Sequence, residues 1–173
     1  MPKDPAMTSR HETTVLVVDD EVPVRRAVAR MLAADGFTIA EAGTSESALR
    51  VFEMDSTEIV VLDLLLDEGA AWQKLVKEMI DLDPEVAIVV YSAHVDKQAA
   101  LDALHLRVDA VVEKPDAAGL RRAVLTAWES LEEVRGARAK LRQTCVRVEA
   151  MLDQMEAITR AARRDERSSP PSP

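Results

Sequence analysis

Val15-Leu16-Val17-Val18-Asp19-Asp20-Glu21 sets four apolar, mostly β-branched residues directly before three acids. The same arrangement returns along the chain. Ile59-Val60-Val61-Leu62 leads into Asp63, Val86-Ala87-Ile88-Val89-Val90-Tyr91 into Ser92-Ala93, and Val108-Asp109-Ala110-Val111-Val112-Glu113 into Lys114-Pro115. Each polar group stands at the C-terminal end of an apolar run. Open α/β sheets bind their ligands in the crevice outside the carboxyl ends of the strands. One sheet edge is therefore expected to gather Asp19, Asp20, Asp63, Ser92 and Lys114 into a single pocket.

The chemistry of that set follows from the side chains. Three carboxylates converging on one point repel each other and raise one another's pKa unless a cation sits among them. Mg²⁺ takes octahedral oxygen ligands, usually one or two carboxylates with waters and phosphate oxygens. Asp20 and Asp63 are expected to bind it directly and Asp19 directly or through water. The backbone carbonyl of Leu65, just past Asp63, completes the protein's share. With the metal present, Asp63 can attack a phosphoryl donor and form an aspartyl phosphate. Such transfer rests mainly on positioning and on neutralising the equatorial oxygens. The metal serves one oxygen, the Lys114 ammonium another and the Ser92 hydroxyl the third.

Between the apolar runs lie helical stretches. The pattern predicts strands near 14–18, 37–41, 58–62, 86–91 and 108–112. It predicts helices near 22–34, with Pro23 in the first turn, then from 44–45 to 54, over 69–80, over 95–105, and onward from Asp116 as N-cap. This alternation is that of an α/β fold, doubly wound, with a parallel sheet, right-handed crossovers and helices on both faces.

On these residues the chain resembles the receiver domain of bacterial two-component response regulators, over roughly residues 13–128. Asp19 and Asp20 match the acidic pair, Asp63 the phosphoacceptor, Ser92-Ala93 the switch hydroxyl with its small neighbour, and Lys114-Pro115 the lysine motif. The resemblance implies a five-stranded flavodoxin-like sheet of order 2-1-3-4-5. It also implies phosphotransfer from a histidine kinase or histidine phosphotransfer protein, then slow self-catalysed dephosphorylation. The chain would be a phosphoacceptor rather than an enzyme acting on a separate substrate.

Several positions depart from the family pattern. Asp67 stands where a proline usually follows the phosphoacceptor, and Gly69 comes about two residues early, so the loop after strand 3 is expected to be remodelled. Val111 replaces the aromatic that often precedes the lysine, and Asp116 the residue, often aromatic, after Lys114-Pro115. The two positions that tune phosphoryl lifetime in the family correspond to Leu65 and His94. The chemistry is read as intact and the readout surface as unusual.

Composition bounds the setting. The 173 residues suit one domain plus an appendage, and with 3 % aromatic content the core is expected to be aliphatic. No apolar run approaches a membrane span, and Met1-Pro2-Lys3-Asp4-Pro5 begins no secretory signal. The single cysteine, Cys145, excludes an intramolecular disulfide framework and fits a reducing cytoplasm. Charge is split, with −12 over residues 1–119 and +3 over residues 120–173. The acidic part argues against nucleic-acid binding by the globular domain. His94 and His105 have no spacing that suggests a metal cluster.

Residues 1–12 read as a disordered leader and 165–173 as a disordered tail. Residues 129–164 read as a helical, coiled-coil extension continuous with the last receiver helix. From Asp116 to about Arg164 there is no proline. Leu120, Ala127, Val134, Leu141, Val148, Met155 and Ala162 recur at sevens beside Val124, Leu131, Arg138, Cys145, Leu152 and Thr159. That is an a/d heptad pattern, in which Arg138 at an a position can fix register. A helix of this length reaches roughly 70 Å at 1.5 Å per residue. Its stripe needs a partner, for which a second chain, giving a homodimer, is the simplest choice. Gly136 leaves open a turn between two antiparallel helices.

No histidine follows His105, so the C-terminal helix carries no phosphohistidine, and a heptad helix makes no helix-turn-helix. The first reading is a response regulator that signals to an unknown downstream protein by contact, with no nucleic acid and no membrane. A second is a receiver-like dimerisation scaffold independent of phosphorylation. A third is a phosphorelay intermediate or phosphate sink.

Overall fold

The computed structural model describes residues 10–66 and 72–168, with side chains described as far as residue 157. Residues 1–9 of the expected leader, Asp67, Gly69, the first residues of the helix expected from 69, and the tail beyond residue 168 lie outside the described residues.

Five strands form in chain order: β1 (Thr14–Val18), β2 (Thr38–Ala42), β3 (Thr57–Leu62), β4 (Ala87–Ser92) and β5 (Ala110–Glu113). The helices between them are α1 (Val22–Ala34), α2 (Ser45–Met54), α3 (Trp72–Leu82) and α4 (Lys97–His105), and α5 (Ala117–Ser168) follows β5. All strands are parallel, in the order β2-β1-β3-β4-β5. The fold is the expected flavodoxin-like α/β sheet with a long C-terminal helix.

Alternation along each strand sends neighbouring side chains to opposite faces, and two separate cores result. Leu16, Val18, Val60, Leu62, Ile88 and Val90 pack against Ala48 and Phe52 of α2, Leu75, Val76 and Met79 of α3, and Ala103 of α4. Val15, Val17, Ile59, Val61, Val89 and Tyr91 pack against Val28 and Leu32 of α1 and against Leu120, Val124 and Trp128 of α5. Burial of the central strands on both faces explains why they read as unbroken apolar runs.

Local chemistry sets the ends of the helices. The Thr44 hydroxyl accepts from the Ser47 N–H while the Ser47 hydroxyl accepts from the Thr44 N–H, a reciprocal cap on α2. Asp96 accepts from the Ala99 N–H at 2.7 Å, and Asp116 from the Gly119 N–H at 2.7 Å, as N-caps on α4 and α5. At the end of α1, Gly36 has φ 99° while its N–H donates to the Ala33 carbonyl and the Phe37 N–H to that of Leu32. This Schellman closure needs the left-handed conformation that glycine takes without strain. The end of α4 closes in the same way around Arg107, at φ 61°.

The chain divides into two units, Met1–Leu131 and Glu132–Pro173. Within the first, Asp35 is buried at the C-terminus of α1 and accepts from Arg121 of α5 at 2.5–2.9 Å. Arg10, expected in the leader, lies 4.6 Å above the Trp128 ring, and the His11 carbonyl accepts from the Thr38 hydroxyl. The described part of the second unit is the remainder of α5. Gly136 stands inside the helix, with nothing within 4 Å of the place its Cβ would take. Val134, Leu141, Val148, Leu152 and Met155 are exposed there. Among the described residues no helix is long and apolar enough to cross a membrane.

Candidate functional site

The parallel sheet brings the ends of β1, β3, β4 and β5 to one edge. Asp19 follows β1, Asp63 follows β3, Ser92 closes β4 and Lys114 follows β5. The backbone locks these ends together: the Asp63 N–H donates to the Val18 carbonyl and the Lys114 N–H to that of Ser92. Sequence positions 95 residues apart thereby meet at one lysine. Lys114 Nζ donates to Asp19 Oδ2 at 2.8 Å and to Asp63 Oδ2 at 2.6 Å.

Asp19, Asp63 and Ser92 are buried and Asp20 is exposed. The carboxylates of Asp19, Asp20 and Asp63 each offer one oxygen to a common point, and these oxygens lie within 4.8 Å of one another. Three hard oxygen donors at that spacing, one of them open to solvent, form a site that fits a divalent cation. Neither buried carboxylate points its second oxygen into empty space. Asp19 Oδ1 accepts from the Glu21 N–H at 2.8 Å, and Asp63 Oδ1 from the Leu65 N–H at 3.2 Å. Leu65 thus meets the site through its backbone, while its side chain is exposed. The Ser92 hydroxyl accepts from the His94 N–H at 3.3 Å.

The electrostatics favour the ionised pair. Burial pushes the Asp63 carboxyl up, but hydrogen bonds from Lys114, Ser92 and the Leu65 N–H, with the Lys114 charge, outweigh it and hold the pKa below 3.8. For Lys114, burial pulls the ammonium down, yet the hydrogen bonds and charges of Asp19 and Asp63 leave its pKa above 10.5. Its Nζ also stands 5.7 Å from the Tyr91 ring centroid, and burial raises the pKa of that phenol. The Lys114–Pro115 peptide bond is cis.

All five residues singled out from the sequence therefore lie at one sheet edge. Arg25 was not among them. Its Nη1 donates to the Asp19 backbone carbonyl at 2.5 Å, its Nε stands 3.3 Å from Glu41, and its guanidinium packs 3.2 Å from the place of a Gly43 Cβ. It fixes the backbone carrying the acidic pair from a position in α1 that no motif marks. Val111 on the edge strand β5 is 39 % exposed, so the aliphatic residue at this position faces solvent.

Comparison with known proteins bears on the family and the fold. The "Probable transcriptional regulator ycf27" of Cyanophora paradoxa is 33 % identical over 104 residues, covering 58 % of this chain and 41 % of that protein. The chain thus spans about two fifths of the length of that relative. A CheY-like receiver domain protein from Methanospirillum hungatei superposes with a TM-score of 0.66 at 18 % identity, over 70 % of this chain and 97 % of the other. NtrX from Brucella abortus, solved in complex with ADP, gives a TM-score of 0.65 at 29 % identity, over 72 % of this chain and 29 % of that one. The response regulator receiver domain matches residues 15–125, and the chain belongs to that family of two-component signalling proteins.

Proposed function

We propose that this chain is a response regulator phosphorylated on Asp63 in a Mg²⁺-dependent reaction, which signals by protein contact through its C-terminal helix. The observation that carries the reading is the position of Lys114 Nζ, held between two buried carboxylates within 2.6–2.8 Å. An ammonium so placed lies beside any phosphoryl group formed on Asp63, and its bond to Asp19 keeps it there when the Asp63 charge is redistributed.

Asp19, Asp20 and Asp63, with the Leu65 carbonyl, would hold Mg²⁺, which supplies charge neutralisation to a phosphoryl oxygen. The chain's own residues do the rest. An Asp63 carboxylate oxygen attacks the phosphorus of a phosphohistidine on a histidine kinase or histidine phosphotransfer protein. The P–N bond breaks and the imidazole leaves with its electron pair and takes a proton. The depressed pKa of Asp63 keeps the nucleophile ionised, Lys114 takes one phosphoryl oxygen and Ser92 donates to another. The adduct adds roughly −1.5 to −2 charges at pH 7. Movement of Ser92 towards the adduct, with Lys114 already beside it, shifts a pre-existing equilibrium of the adjoining face.

Output by contact is supported by residues 117–168, which form one helix rather than a helix-turn-helix. The −12 charge of residues 1–119 also disfavours DNA. The relative named above is called a transcriptional regulator, so salt-dependent DNA binding mapped to residues 135–167 would reverse this part of the reading. The lone cysteine fits a cytoplasmic setting.

The test is intact mass after incubation with acetyl phosphate and Mg²⁺. A phosphoryl adduct is expected in the wild type, and none in Asp63→Asn or without Mg²⁺. Absence of the adduct, together with failure to bind beryllofluoride, would overturn the proposal. A second reading, a scaffold that keeps the pocket without being switched by it, is favoured by Val111 at the usual aromatic position. It requires partner binding to be unchanged in Asp63→Asn.

A further inference from the structure

In the second unit, α5 presents Val134, Leu141, Val148 and Met155 on one line and Arg138, Cys145 and Leu152 on the companion line, and the apolar members measured there are 47–64 % exposed. Directly beside the first line, one residue on, run Arg135, Arg142, Glu149 and Glu156, two cations followed by two anions at heptad spacing. The other flank carries Ala137, Thr144 and Met151 and no charge. We infer that this helix pairs with a second copy of itself in the antiparallel sense, with Arg142 against the partner's Glu149. The inference rests on the self-association expected of this helix from its heptad stripe and assigns the orientation.

Charge complementarity decides it. In a parallel pair the charged flank of one helix meets the opposite flank of the other. Arg142 would face Ala137, and Glu149 would face Thr144, so no ion pair forms. The two copies of Arg138 would oppose each other inside the seam, where like charges repel. In an antiparallel pair like flanks meet. The sequence of two cations then two anions becomes self-complementary: Arg142 meets the partner's Glu149, and Arg135 the partner's Glu156. The same register sets Arg138 beside the partner's Met155, Cys145 beside the partner's Val148 and Leu152 beside the partner's Leu141. The arginine then packs its stem on a flexible thioether side chain and keeps its head at the seam edge.

Analytical ultracentrifugation of the full chain, with single and double charge swaps, separates the possibilities. Each swap turns two symmetry-related attractive pairs into repulsive ones, so Arg142→Glu and Glu149→Arg are each expected to raise the dimer dissociation constant about tenfold. The double variant is expected to return to within about threefold of the wild type. A chain that stays monomeric at high micromolar concentration would overturn the dimer and this inference together. A dimer indifferent to the single swaps, or not rescued by the double, would overturn the orientation alone. A spin label on Gly136→Cys in a Cys145→Ser background gives an independent reading. The antiparallel register puts the two labels about 30 Å apart along the axis at 1.5 Å per residue. Labels side by side would refute it.

Discussion

Lys114 is the residue on which the charge balance of the site turns, since it is the cation bonded to both buried carboxylates. Removing it leaves Asp19 and Asp63 uncompensated beside Asp20. Breaking a buried pair by deleting one partner costs about 3–5 kcal/mol, and the open side of this site brings the expected loss for Lys114→Met to about 2–4 kcal/mol in metal-free buffer. The same variant leaves more negative charge around the metal position. Millimolar Mg²⁺ is therefore expected to raise the melting temperature of Lys114→Met by more than that of the wild type. Equal shifts, read by differential scanning fluorimetry with and without EDTA, would contradict this coupling between Lys114 and the metal position. The pH dependence has a definite sign. The folded pKa of Asp63 lies below its ordinary 3.8, so its contribution is present above 3.8 and lost as pH falls through the folded value. In metal-free urea titrations the stability of the wild type relative to Asp63→Asn is expected to rise with pH up to the unfolded value and then to level off. A difference flat across the acid range would contradict the pairing.

Helix and strand ends show what the sequence makes legible and what it hides. The helix start at 44–45 and the cap at Asp116 can be read because each acts within three residues of itself, whereas the equally local cap at Asp96 was not singled out. The central strands can be read because both faces are buried. The start of β5 was expected at 108 and is found at Ala110, for a reason that no local pattern carries. Asp109 is held before the strand by the Ile88 N–H, which donates to its carboxylate at 2.7 Å, and its own N–H donates to the Ile88 carbonyl. The Asp35–Arg121 pair, 86 residues apart, and Arg25 at the acidic loop are invisible for the same reason. Periodicity reports burial, but the choice of a distant polar partner is made only when the sheet closes. One element end carries a stability prediction. Arg107 closes α4 in the left-handed region, where a side chain crowds the backbone and glycine does not. Arg107 is exposed, so Arg107→Gly removes little contact. It is expected to stabilise the protein by about 0.5–1 kcal/mol in chemical denaturation, less whatever the added freedom of the unfolded chain takes back. A destabilised variant would mean that the arginine makes a contact stronger than its strain.

At the scale of the whole molecule, α5 serves two structures in succession. Its first turns complete a core, since Leu120, Val124, Ala127 and Trp128 are buried against β1, β3, β4 and α1. Its later turns expose an apolar line that belongs to no core among the described residues. The heptad spacing runs through both parts without a break, so the sequence alone shows one stripe where the protein has two environments. A pair of truncations separates them. Ending the chain after Ala123 removes Val124 and Trp128 from the core. At about 1.5–3 kcal/mol for each large buried side chain, this is expected to cost about 3–6 kcal/mol. Ending it after Leu131 spares every residue of α5 that is buried among the described ones, and the product should unfold cooperatively with its phosphoacceptor chemistry unchanged. The full chain should differ from that product in one respect that a monomeric receiver cannot imitate. Because association stabilises only the folded state, its melting temperature should rise with protein concentration, while that of the chain ending at Leu131 should not. Concentration-independent melting of the full chain would show that the exposed stripe of α5 is not satisfied by a second copy, and the search would then pass to a different partner.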